Sequence, residues 1–197
     1  WMPALGVLPH QGWLRAQGFA VGRFAWRCWR DGMADNVRLL SRFIAGTPGD
    51  IIHLVAHSLG GLLSLQMLAQ PCDPRIGRIV LMGTPYGGCH SGFAIAAIPG
   101  FSWVVGRSFE DWFSQPPPDL PSSVCIGVMA GTRRVSFGRL IPGLPRPNDG
   151  LISVDETRLL SATDSIALDV CHSGMLASRA CAKQVASFLK NGAFVHA

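Results

Sequence analysis

This chain lacks a membrane-length hydrophobic run, a cluster of like charge and any paired-cysteine motif, and each absence excludes something. Its most apolar stretch, Phe93 to Val105, is too short for the roughly 20 residues a spanning helix needs, and Pro99 and Gly100 interrupt it. No segment of the sequence reads as a secretory leader. The 17 Lys and Arg against 12 Asp and Glu give a net charge of +5, but the basic residues are scattered. That describes a solvated basic surface rather than a nucleic-acid stripe, and at most a weak attraction to anionic membrane surfaces. The six cysteines, Cys28, Cys72, Cys89, Cys125, Cys171 and Cys181, form no C-x-x-C pair, so neither a zinc site nor a thioredoxin-like motif has support. Free thiols are expected, with Cys125 in a buried strand. No internal repeat occurs. Only 15% of residues are charged against 48% hydrophobic, which excludes disorder and leaves material for one well-packed domain.

What is present is an alternation of strand-like and helix-like segments, the pattern of an α/β domain with a mostly parallel sheet covered on both faces. Phe19 to Trp26 reads as a short β-prone segment. Asp35 to Ala45 has helical apolar spacing, with Asp35 as a candidate cap and Gly46 and Pro48 as stop signals. Ile51 to Ala56 is a continuous apolar run, as in a parallel strand buried on both faces. Leu59 to Ala69 is apolar nearly all round, as a central helix would be. Further strands are expected at Arg78 to Met82, Val124 to Ala130 and Ser165 to Val170, and a last helix at Met175 to Leu189. Two stretches break the rhythm. Residues 87–121, rich in Gly, Pro and aromatics, are long for a connection and predict a lid or cap insertion. Residues 136–150 predict a Pro- and Gly-rich loop leading to Asp149.

The junction of the first buried strand with the apolar helix reads L-V-A-H-S-L-G-G, from Leu54 to Gly61. It holds a variant of G-x-S-x-G with Ala56 at the first small position. In such a nucleophile elbow the serine sits on a tight strand-to-helix turn, which projects its hydroxyl. Small residues two before and two after it, here Ala56 and Gly60, are expected to avoid collision. The helix starting after Ser58 turns its free N–H groups toward a developing oxyanion.

A serine hydroxyl needs a general base, and in this architecture the chain order is Ser, acid, His. His10, His53 and His57 precede the serine; His53 and His57 are expected to be structural, with His57 pointing away from the elbow. His90 falls in the expected lid, and His196 is penultimate, where fraying is expected. His172 follows the last strand and is the expected base. Among the acids, Asp169 is expected within that strand and Asp164 at its wrong end, and Asp155 and Glu156 at the start of a short helix. Asp149, in the P-N-D-G turn, is favoured over Asp155.

Four segments carry a family resemblance: A-H-S-L-G-G at 56–61, L-M-G-T-P-Y-G-G at 81–88, N-D-G-L-I-S-V-D-E-T at 148–157 and C-H-S-G-M-L at 171–176. In this order they resemble bacterial α/β-hydrolase lipases and esterases, including small lid-poor lipases and the group similar to the GPI-inositol deacylase domain. The resemblance spans nearly the whole chain. It implies an α/β-hydrolase fold, a triad of Ser58, Asp149 and His172, and the Leu59 backbone N–H as an oxyanion donor. Family members usually carry a strand ending in His-Gly ahead of the segment resembling Trp1 to Gln11. This chain opens on Trp1 instead, so an N-terminally truncated domain over 1–197, short of one strand and the second oxyanion donor, is expected.

The expected activity is hydrolysis of a small-molecule or lipid carboxylic ester through an acyl-enzyme. Phe93, Phe101 and Trp103 in the lid are candidate contacts for an apolar acyl group, or equally a small core beneath the lid. Acyl transfer on the same triad and an inactive binding protein are the alternatives. No metal or organic cofactor and no nucleic-acid partner is implied. A cytoplasmic location, with peripheral membrane contact, is the default, and oligomeric state is open.

Overall fold

The computed structural model describes residues 8–98, 105–135 and 142–196. Its centre is a four-stranded parallel sheet of β1 (Ile52–His57), β2 (Ile76–Met82), β3 (Cys125–Gly131) and β4 (Asp164–Leu168), ordered β1-β2-β3-β4. β2 and β3 are the inner pair, and their apolar runs are buried along most of their length, as a sheet covered on both faces requires. β4 instead alternates half-buried with exposed residues, the pattern of an edge strand packed on one side.

Helices cover both faces. On one, α2 (Met33–Ala45) and α3 (Leu59–Leu68) pack against Ile52, Ile79, Leu81, Ile126 and Val128. On the other, α1 (Leu8–Ala16) and the last helix, α6 (Arg179–Asn191), pack against Val80, Met82 and Met129. Gly127 makes room for this second layer: a Cβ there would lie 2.8 Å from the Phe188 ring, which is fully buried. Truncating such a phenylalanine typically costs about 3–5 kcal/mol. All six cysteines are free, and Cys125 is half-buried. Among the described residues no helix is long and apolar enough to cross a membrane.

Several local expectations shift. Residues 19–26 are irregular rather than a strand, with no ladder to another strand among the described residues. α2 begins two residues before Asp35. Its first N–H, of Met33, is taken at 2.8 Å by Asp111, 78 residues away, while Asp35 pairs with Arg38 on the helix surface. Sequence spacing cannot reveal a cap supplied from another element. The last helix begins at Arg179, capped by Ser178, and Met175 belongs to a separate 3-10 turn at Ser173–Ala177. α1 carried no sequence expectation.

Within 87–121, two short helices are described, α4 (His90–Ala96) and α5 (Arg107–Phe113). They share a small cluster of Cys89, Val105, Phe109 and Ile152. Burial pushes the Cys89 thiol up to about 12, so it is an inert packing group. Residues 99–104, which include Phe101 and Trp103, lie outside the described residues, as do 136–141 of the loop before Asp149.

Candidate active site

Strand register brings the site together. His57 pairs with Met82 and Met82 with Met129, so Ser58, Gly83 and Ala130 stand level at the carboxyl ends of β1, β2 and β3. This edge is where open parallel sheets bind their ligands.

Ser58 lies between β1 and α3 with φ 55° and ψ −129°, the one non-glycine positive φ among the described residues. Such a conformation persists only where its surroundings enforce it. Here the Ser58 N–H donates to Met82 O at 2.8 Å, and Ser58 O accepts from Gly61 N at 2.9 Å. Leu59 is the first residue of α3, so its N–H has no acceptor within the helix. The steric expectation at Gly60 needs correcting. A Cβ there would meet nothing within 4 Å, whereas one at Gly61 would lie 2.0 Å from Thr84 Oγ1. The crowded glycine is the one where the helix passes the β2 loop.

Asp149 is buried in the loop after β3, and His172 is buried after β4. His172 Nδ1 lies 2.7 Å from Asp149 Oδ2. A carboxylate accepts, so Nδ1 carries the hydrogen and Nε2 keeps its lone pair in the neutral ring. The other carboxylate oxygen, Oδ1, accepts from Leu151 N at 2.9 Å and Ile152 N at 2.7 Å. Asp149 is thus fixed by its own turn, while neighbouring Asn148 braces that turn by accepting from Gly150 N and donating to Pro145 O.

The other candidates fall elsewhere. Asp155 is exposed and faces Arg158 at 3.4 Å. Glu156 ties the Asp149 loop to the start of α4, accepting from Ser153 N, Ser153 Oγ and His90 N. Asp169 lies just past β4 rather than in it and pairs with exposed Arg133. Asp164 holds Phe194 N and His196 at the far end of β4. Phe93 is half-exposed on α4 and stacks edge-on against Phe109 and Phe113, with centroids 5.6 and 5.1 Å away.

Two residues of the site carried no functional expectation. Gly83, with φ 56°, backs the Asp149–His172 pair: a Cβ there would lie 3.1 Å from His172 Nδ1 and 3.2 Å from Asp149 Oδ2. Its sequence signal was membership of the L-M-G-T-P-Y-G-G segment, which assigned it no role. His57, expected to point away from the elbow, turns its ring toward His172, with centroids 4.5 Å apart. Both glycine crowding and ring contact depend on loops distant in sequence, which spacing cannot show.

No curated protein matches the chain in sequence. Among solved structures, the mature form of lipase BlEst2 from Bacillus licheniformis is 16% identical, covering 84% of this chain and 76% of its own at a TM-score of 0.62. The metagenomic carboxyl esterase MGS0156 is 18% identical, covering 74% of this chain and 52% of its own at 0.55, so the chain spans about half of that protein. At these identities the likeness is one of fold. The alpha/beta hydrolase fold profile matches residues 15–116, more than half of the chain. With the parallel sheet and the strand–turn–helix at Ser58, this establishes that the chain belongs to the α/β hydrolase fold family.

Proposed function

We propose that this protein is a serine hydrolase that cleaves carboxylic esters through an acyl-enzyme, with Ser58 as nucleophile, His172 as general base and acid, and Asp149 as the group that orients His172. The observation that carries this is the buried 2.7 Å Asp149–His172 hydrogen bond at the same sheet edge as the strained Ser58 turn. In this reading Ser58 Oγ attacks the ester carbonyl while His172 Nε2 takes its proton. The Leu59 N–H receives the oxyanion, a donor whose loss costs about 10²–10³ in rate in such sites. Collapse of the tetrahedral adduct expels the alcohol, which leaves with the proton from His172. Water then enters by the same steps in reverse roles, releasing the acid and Ser58 Oγ. Half-exposed Phe93 and Ile98 support an apolar acyl group bound beside α4.

A fluorophosphonate probe tests the assignment. The expected result is a single adduct on Ser58 by peptide mapping, absent in Ser58→Ala, together with hydrolysis of p-nitrophenyl esters. A folded protein without that adduct would overturn it.

A further inference from the structure

β1 alternates: Ile52, Leu54 and Ala56 face the α2–α3 layer, and His53 and His57 the other. His57 therefore enters the layer that holds the His172 loop, and its Nε2 lies 3.0 Å from the His172 carbonyl. A second ring reaches the same turn: His10, buried on α1, places Nε2 2.8 Å from the Met175 carbonyl. A carbonyl can only accept, so both Nε2 atoms carry hydrogen and donate. At His10 the other ring nitrogen, Nδ1, is buried without a partner. A second hydrogen, on Nδ1, would be a buried donor left unmade.

Resting on the triad reading above, we infer that His57 and His10 are positioning residues for His172, their ring N–H groups holding two carbonyls of the turn that carries the general base. The His172 N–H already donates to Asp149 O at 2.9 Å and its Nδ1–H to Asp149 Oδ2. With His57 on its carbonyl, every polar atom of His172 except Nε2 is engaged. The turn cannot rotate without breaking bonds to α1, β1 and the acid loop at once. Both positioning rings stay neutral where His172 must cycle: burial lowers both, and His57, also facing His172 and His10, falls to about 3. Neither adds a positive charge beside the imidazolium that forms in the reaction.

The test compares His57→Gln with His57→Asn in the full chain. Both stay polar, but only Gln carries its amide N–H as far out as Nε2. Expected for Asn is a fall in kcat on p-nitrophenyl butyrate of about 10- to 100-fold with KM nearly unchanged, the scale of a slightly misplaced catalytic group. Gln recovers most of it. The low-field proton resonance of His172 Nδ1–H gives a readout independent of turnover, and stays readable if a variant loses activity. It should be sharp in the wild type and in Gln, and broadened in Asn. Equal kcat and equally sharp resonances in Asn and wild type would overturn the positioning role while leaving the triad standing. A folded wild type with neither ester turnover nor the resonance would overturn both.

Discussion

His172 is bonded to Asp149 twice, side chain to side chain at 2.7 Å and backbone N–H to backbone carbonyl at 2.9 Å. The acid therefore fixes both the tautomer of the imidazole and the position of the residue that bears it. Asp149→Asn keeps the backbone bond and the turn. Its amide NH₂, placed toward His172, forces the hydrogen onto Nε2, which on the triad reading removes the base. The expected loss in kcat is about 10⁴-fold with a native circular dichroism spectrum. A variant within tenfold of wild type would remove Asp149 from the mechanism.

Gly83→Ala puts a methyl within 3.2 Å of the pair at a φ of 56°. The backbone cost is about 1–2 kcal/mol. Urea unfolding measures that part. Activity should fall further than stability explains, because His172 has to yield. An active variant with wild-type kcat would show that the pair has slack.

Gly60 and Gly61 should behave oppositely. Gly60→Ala meets open space inside α3, so it is expected to fold well and gain about 0.5–1 kcal/mol from helix propensity. Gly61→Ala strikes Thr84 and should cost about 1–3 kcal/mol from overpacking. Thermal melts of both decide, and the reverse order would contradict the packing of α3 on the β2 loop.

Acid should weaken the fold through neutral histidines. His57 has a pKa of about 3 in the folded protein and near 6.5 when unfolded, so between those values only the unfolded chain binds the proton. Stability from this group is full above about pH 6.5 and declines as pH falls toward 3. His10 and His53 are lowered too and steepen the decline. The slope approaches about 1.4 kcal/mol per pH unit for each proton. Urea midpoints between pH 7 and 4.5 should fall less steeply in His57→Gln than in wild type; parallel slopes would contradict a neutral His57.

The sheet strands and central helices were legible in the sequence because they are defined by local apolar runs. Ile52–His57 and Leu59–Leu68 lie within a residue or so of the expected bounds. The proposed triad also came from local motifs in a fixed chain order. What the sequence hid depends on contacts between distant segments. The α2 cap comes from Asp111, Gly83 is small because of His172, and His57 finds its carbonyl partner in a loop 115 residues later. None of these leaves a periodic trace.

The four strands pair in the order in which the chain makes them, so the sheet can grow strand by strand during synthesis. The bonds to the His172 turn have the opposite character, joining His10 to Met175 and His57 to His172 across 165 and 115 residues. Contacts of such long range form late, because the intervening chain must first be ordered. On the triad reading, a chain whose His172 turn has not docked presents Ser58 with no base placed to deprotonate it. Reactivity then waits on the docking of the His172 turn rather than on the Ser58 elbow.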